Sequence, residues 1–345
     1  VSGNVYAAWS AFHGSGCNEI DFARSTDHGA TFSAPMKISS GICGNQGPSI
    51  AVGKDGNVYI GWEAFGGGSF GQGPKGGTGV AFASSSNFGR TFSGARVVQV
   101  FDAFTSGQFS NNGSRDCGDG PFACPTGFTF PRFDLAAPFL AFDRSSGNVV
   151  AAFQAMQSGG QGQIEVMRSS DGGATWSAPV LLSASDTGHQ FFPFLAASGG
   201  RISAIWYDSR GDAAYAATRP PCNDVNGATY PCLNVMYASS TDGTHWSPAI
   251  QVTGAPTNPN YEQFGGRRIP FIGDYITVAA QGDTIGAVWT DQRNTVGASD
   301  TTGDNDGADV AGDPETGGAC TSAFTACFDG TGGLDQNIYS ATITP

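Results

Sequence analysis

The sequence predicts an all-β fold assembled from repeated four-stranded units, and three observations lead there. A short turn motif occurs four times along the 345 residues. Glycine is abundant, at 52 residues, while apolar residues come in short runs with few helix-forming stretches. The same order of strand-like segments then returns around each motif, which marks a repeat architecture.

The four motif copies begin at Ser25, Ser85, Ser169 and Ser240 and follow Ser-x-Asp-x-Gly-x-Thr-Trp/Phe. Asn87 replaces the acid in the second copy, and the fourth, Ser240 to Trp246, is one residue shorter. Each lies between two apolar runs, so each is expected to be a hairpin turn. Glycine supplies backbone freedom and the Asp side chain accepts hydrogen bonds from the turn's own amides. The aromatic is expected to anchor the following strand in the core.

Taken in order, the strands of a unit are called A, B, C and D, with the motif between C and D. Residues 1–39 read as B, C and D; 47–100, 135–183 and 190–253 as complete units; 269–345 as A, B and C. Pro48 to Val52 illustrates an A strand, Asp55-Gly56-Asn57 the tight turn after it, and Val58 to Trp62 a B strand. The B-strand aromatics Trp9, Trp62, Phe153, Trp206 and Trp289 count five units. The fifth has no copy of the motif.

The motif resembles the Asp-box of the sialidase-like β-propellers (BNR repeats), and the resemblance covers essentially the whole chain. It implies a single β-propeller domain over residues 1–345, with five blades visible. An open sheet edge is a pairing liability that propellers normally seal. Closure is therefore expected to be irregular, or a portion before Val1 completes a sixth blade, as the resemblance implies. The motif identifies a scaffold, not an activity.

In such a blade, A–B and C–D turns share one face, and B–C and D–A connections share the other. The A–B turns are minimal, whereas 65–79, 101–134, 208–232, 253–268 and 291–335 are long and all belong to the second face. All eight cysteines fall there, in neighbouring couples: Cys17/Cys43, Cys117/Cys124, Cys222/Cys232 and Cys320/Cys327. None forms a Cys-x-x-Cys pair. An even count in loop-like sequence favours disulfides and a secreted, extracellular protein. Long stapled loops are where ligand or partner contact is expected, with covering of strand edges and exposed apolar surface as the alternative.

Composition excludes other classes. The formal charge is −13 and only Lys37, Lys54 and Lys75 are lysines, so no basic face exists for nucleic acid. No apolar run is long enough to span a membrane. The glycine-rich stretch from Gly66 to Gly79 lacks the Gly-Lys-Ser/Thr ending of a phosphate loop.

Several residues on the loop face could carry chemistry. Trp206-Tyr207-Asp208-Ser209-Arg210 and Trp289-Thr290-Asp291-Gln292-Arg293 repeat one arrangement at two B-strand ends. An Asp and Arg two apart can order a loop by a charge-assisted pair; alternatively Arg210 and Arg293 grip a carboxylate, with Asp208, Asp291, Tyr207 and Tyr275 at hand. Asp300, Asp304, Asp306 and Asp309 cluster in the last long loop with Gly307 among them, a pattern open to Ca²⁺ or to a solvated acidic loop.

The family resemblance adds an anion clamp. Family sialidases carry Arg-Ile-Pro before an innermost strand, and Arg268-Ile269-Pro270 matches it, but in the last visible blade rather than the first. On that reading Arg268, Arg132 and Arg293 bind a substrate carboxylate, Tyr261 and Glu262 supply nucleophile and base, and Asp274 the acid. Tyr261 and Glu262 are adjacent, and adjacent residues seldom face each other, so no catalytic pair is recognisable.

Three functions follow as expectations. The first is a secreted propeller binding glycan or another extracellular partner, with Phe101, Phe104, Phe109, Phe128, Phe130 and Tyr261 as stacking surfaces. The second is an exo-sialidase-type glycoside hydrolase. The third is a structural component of an extracellular assembly. The oligomeric state is not readable from the sequence.

Overall fold

The computed structural model describes residues 3–14, 17–65, 78–102, 137–217, 221–222, 230–259, 263–264, 269–270, 276–293 and 337–344. These residues form strands and no helix. The first sheet holds β1 (Val5–Ala11), β2 (Glu19–Ser25) and β3 (Met36–Lys37). The second holds β4 (Asn45–Val52), β5 (Val58–Ala64), β6 (Thr78–Ser85) and β7 (Arg96–Phe101). The third holds β8 (Phe139–Phe142), β9 (Val149–Met156), β10 (Gly162–Ser169) and β11 (Val180–Leu181). The fourth runs through β12 (Gln190–Ser198), β13 (Arg201–Asp208), β14 (Asn234–Ser240) and β15 (Ile250–Gln251). A two-stranded pair, β16 (Gln263–Phe264) with β17 (Ile269–Pro270), precedes the last sheet: β18 (Thr277–Gln281), β19 (Thr284–Asp291) and β20 (Asn337–Ile343).

Apart from the β16–β17 pair, each described sheet is an antiparallel meander in chain order, with three strands in the first and last and four in the three between. Among the described residues this matches the all-β, antiparallel strand content the sequence predicts. The inner strands β4, β8, β12 and β18 pack each against the next, as propeller blades do.

Four apolar clusters lie between sheets, not within them. One joins Ile20 and Phe22 of the first sheet to Ile60 and Trp62 of the second. The next two join the second sheet to the third and the third to the fourth. The last joins Phe191, Ile205 and Tyr207 of the fourth to Trp289 and Ile343 of the fifth. The B-strand aromatic always faces the preceding sheet: Trp62, Phe153 and Trp206 are fully buried there. Burying such a ring contributes on the order of 2–3 kcal/mol. Trp9 occupies the same register on the first sheet and is 37% exposed.

The four motif turns share one hydrogen-bond scheme. The first Ser accepts from the Gly amide, as in Gly29 N to Ser25 Oγ (2.9 Å) and Gly173 N to Ser169 Oγ (2.8 Å). The acid accepts from the Thr amide, as in Thr31 N to Asp27 (2.9 Å) and Thr175 N to Asp171 (2.8 Å). Asn87 keeps the acceptor role toward Thr91 N (3.0 Å). Glycine is required at Gly173 twice over: its φ is +89°, and a Cβ would lie 2.1 Å from the Phe82 ring of the preceding sheet. His28 and Phe88, one residue earlier in their copies, also adopt left-handed φ of 64° and 61°. The contracted fourth copy has only Gly243 in that region.

Three of the four motif aromatics anchor in the core between sheets, as the sequence predicts: Phe92, Trp176 and Trp246 pack against the inter-sheet clusters, with Phe92 edge-on to Phe22 and Trp176 edge-on to Phe82, each on the C strand of the preceding sheet. Phe32, in the first sheet, is 47% exposed. The motif also extends one residue further than its recognised pattern. Ser33, Ser93, Ser177 and Ser247 each accept a bond from the backbone amide of the third strand, at 3.2, 3.0, 3.1 and 3.0 Å.

Candidate functional site on the loop face

Because each sheet is an up-and-down meander, the ends of the B strands and the connections between sheets emerge on one side. Two disulfides staple this side, as the sequence predicts: Cys17–Cys43 and Cys222–Cys232. The first ties the B–C connection of the first sheet to the entry of the second. Asn45 adds bonds to the Asn18 and Ile42 carbonyls (both 2.9 Å) and accepts from Trp62 Nε1 (2.7 Å). Cys117, Cys124, Cys320 and Cys327 lie outside the described residues.

The repeated Trp-x-Asp-x-Arg segments form two copies of one compact corner. Asp208 is fully buried at the end of β13 and accepts from Trp206 Nε1 (2.9 Å), the Arg210 amide (2.8 Å) and the Arg210 guanidinium (2.6 Å). Asp291 at the end of β19 does the same for Trp289 Nε1 (3.0 Å) and the Arg293 amide (2.8 Å) and guanidinium (2.5 Å). Arg210 also donates to Ser183 Oγ (2.9 Å), and the Arg293 guanidinium lies 4.4 Å over the Tyr339 ring. The hydrogen bond to Asp291 is the main cause of the raised pKa of Arg293.

Both arginines are therefore held by their own loop. Tyr207 is likewise buried, donating to the Thr290 carbonyl (2.7 Å) and accepting from the Thr290 amide (3.1 Å). Its hydroxyl joins the fourth sheet to the fifth, and burial pushes its pKa above the usual tyrosine value. Asp208, Asp291 and Tyr207 are thus buried within these corners and hydrogen-bonded there.

The position after the B-strand aromatic has a common use that sequence reasoning missed. Ser10 accepts from Gly47 N (3.3 Å) and Gln154 from Phe192 N (3.0 Å), each reaching the inner strand of the next sheet. Both amides sit in β-bulges, between Gln46 and Ser49 and between Phe191 and Phe194, where Gly47 and Phe192 take φ of 66° and 51°. A bulge leaves its extra amide without a ladder partner, and the preceding sheet supplies one. Residue types as unlike as Ser and Gln concealed the pattern. Glu63, in the same register, is fully buried.

Asp212 organises the Cys222–Cys232 loop, another role not read from the sequence. It is nearly buried and accepts from Ala214 N (3.0 Å), Cys222 N (2.9 Å) and the Tyr230 hydroxyl. Cys232 N and Leu233 N bond the Thr257 carbonyl, and Thr257 Oγ1 accepts from Gln292 N (2.8 Å). The connections of the fourth and fifth sheets are thereby built as one polar unit around the disulfide.

Arg132, Arg268, Tyr261, Glu262, Asp274 and Tyr275 lie outside the described residues, as do Asp300, Asp304, Asp306 and Asp309. Among the described residues no cluster of three or more metal-ligating side chains occurs, and no helix is long and apolar enough to cross a membrane.

No family model and no curated protein matches the chain in sequence. Solved structures are similar to it at low identity. A protein of unknown function from Dyadobacter fermentans is 14% identical, with 85% of this chain and 73% of that one covered and a TM-score of 0.48. A Hadza microbial sialidase is 16% identical over 84% of this chain and 61% of its own, at a TM-score of 0.40. A Trypanosoma rangeli sialidase mutant displaying trans-sialidase activity is 14% identical over 85% and 42%, at 0.47. This chain spans less than two thirds of either sialidase, and no residue role is taken from them.

Proposed function

We propose that this chain is a secreted Asp-box propeller that binds glycan through its disulfide-stapled loop face. The observation that supports this most is the division of labour between the two faces. Every motif turn is consumed by its own hydrogen bonds, while both described disulfides lie on the opposite side. Stapled loops on a rigid scaffold suit recognition.

The exo-sialidase alternative rests on the match at Arg268-Ile269-Pro270, of which Ile269–Pro270 is strand β17, paired with Gln263–Phe264. Of the three arginines it invokes, Arg293 is held against Asp291, and a guanidinium already paired is a weaker carboxylate clamp. One experiment separates the readings. Folded protein is offered a fluorogenic sialoside and, in parallel, an immobilised glycan panel, with calcium present and then chelated. Glycan retention without turnover is expected. Turnover that disappears in Arg268→Ala would establish the hydrolase, and neither retention nor turnover would leave the assembly role. A loss of retention on chelation would assign a calcium role to the Asp300–Asp309 loop.

A further inference from the structure

The motif face carries an open groove of about 600 Å³ between the second and third sheets. Its walls include Tyr59, Ser84 and Ser86 of the second sheet and Ser170, Asp171 and Gly172 of the third motif turn. The repeat explains why it lies at this junction. The residue just before the first motif serine is Arg24 in the first sheet and Arg168 in the third. Each crosses to the next sheet and donates to the carbonyl that precedes the motif glycine: Arg24 to that of Phe88 (3.3 Å) and Arg168 to that of Asp242 (3.2 Å). In the second sheet the same position is Ser84, and the carbonyl it faces is that of Gly172. A serine is too short to cross, so the space that a guanidinium fills at the two flanking junctions stays open here. Gly172 keeps it wide, because a side chain there would begin 3.7 Å from the Tyr59 hydroxyl.

We propose that this groove binds the alkylguanidinium group of an arginine that is not the chain's own, seated as Arg24 and Arg168 are seated at the neighbouring junctions. The acceptor is the Gly172 carbonyl, to which no group among the described residues donates. Asp171 beside it supplies negative charge. The bonds from Thr175 and Ser169 hold its carboxyl at about 2 instead of 3.8, so it is ionised at neutral pH. Tyr59 is the cross-strand neighbour of Ser84 just as Tyr6 is of Arg24, so a tyrosine at this place accommodates an arginine alongside.

The chemistry selects guanidinium over other cations. Its planar fork reaches two acceptors at once, here a carbonyl and a neighbouring carboxylate, whereas an ammonium is a compact and strongly hydrated point charge. Arg96 of β7 reaches the same turn but donates to the Ala174 carbonyl (2.9 Å), two residues beyond Gly172, and is not part of the groove wall. The site lies on the face opposite the disulfides and is independent of glycan retention.

Nuclear magnetic resonance of the intact chain tests this, with N-acetyl-arginine methylamide as the probe and N-acetyl-lysine methylamide as the control. The Gly173 amide, which shares a peptide unit with the Gly172 carbonyl, and the Tyr59 ring should shift with a dissociation constant on the order of 1 mM. The lysine control should bind at least about tenfold more weakly. Free arginine serves as a second arm: tighter binding than the blocked probe would point to the amino acid as ligand, and weaker binding to an arginine within a polypeptide. Ser84→Arg, which installs the residue that the flanking sheets carry, should weaken binding at least about tenfold by supplying the guanidinium internally. Arg24→Ser is the converse, and in it the same probe should newly shift the Gly89 amide at the first junction. Four results would each overturn the proposal: no saturable shift at Gly173, equal binding of the lysine control, undiminished binding by folded Ser84→Arg, or no new shift at Gly89 in Arg24→Ser.

Discussion

The two faces of the molecule solve the same problem, holding successive sheets together, by different means. On the motif face the solution is repetition. Arg24 donates to the Phe88 carbonyl (3.3 Å), Arg96 to the Ala174 carbonyl (2.9 Å) and Arg168 to the Asp242 carbonyl (3.2 Å), so each sheet grips the next motif turn. On the loop face the described joints use unlike residues: a serine and a glutamine at one register, a tyrosine, and two disulfides. The comparison teaches that repeated contacts belong to the scaffold, and that the irregular face is where sequence has been free to specialise.

The largest expected effect comes from breaking a loop-face corner at its buried charge. Asp208→Ala strands Trp206 Nε1 and the Arg210 guanidinium, and urea denaturation should show a loss of about 3 kcal/mol. Removing the Cys222–Cys232 bond as the double serine variant should cost about 2–3 kcal/mol, given the short loop it closes. Glycan retention should go with it, while the motif turns keep their exchange protection. If retention survives that variant, the ligand is held elsewhere on the loop face.

Changes on the motif face should be smaller and silent in glycan retention. Asp171→Ala removes the acceptor for Thr175 N and should lower the urea midpoint by less than Asp208→Ala, with binding unchanged. Asn87→Asp, which restores the acid to the second copy, should have the least effect at neutral pH. It should add an acid-sensitive increment. In the other copies Ser25 and Thr31 hold Asp27, and Thr175 and Ser169 hold Asp171, at about 2 instead of 3.8. Such stability is present above the unfolded value and lost as pH falls through the folded one.

The scaffold was legible because its signal is local. The Asp, Gly and Thr of a motif copy bond within one turn, so residue order alone reveals them. The extra serine at 33, 93, 177 and 247 was equally local and could have been found by extending the alignment of the four copies by one residue. The direction of the motif aromatics was not legible, because Trp176 meets Phe82 only once two sheets stand side by side. The inter-sheet bonds of Ser10 and Gln154 depend on bulges that no residue pattern announces. His189 gave no signal beyond being a histidine at the start of an inner strand, and its partners, the Gly162 amide and Ser209 Oγ, are each 20 residues or more away in sequence.

The division between the two faces is tested most directly by glycan retention measured in three proteins side by side: the wild type, the Cys222→Ser/Cys232→Ser variant and Asp171→Ala. Retention by the wild type and by Asp171→Ala, with loss in the disulfide variant, is the result this account predicts. Loss in Asp171→Ala with retention in the disulfide variant, both proteins being folded, would place the ligand on the motif face and contradict it.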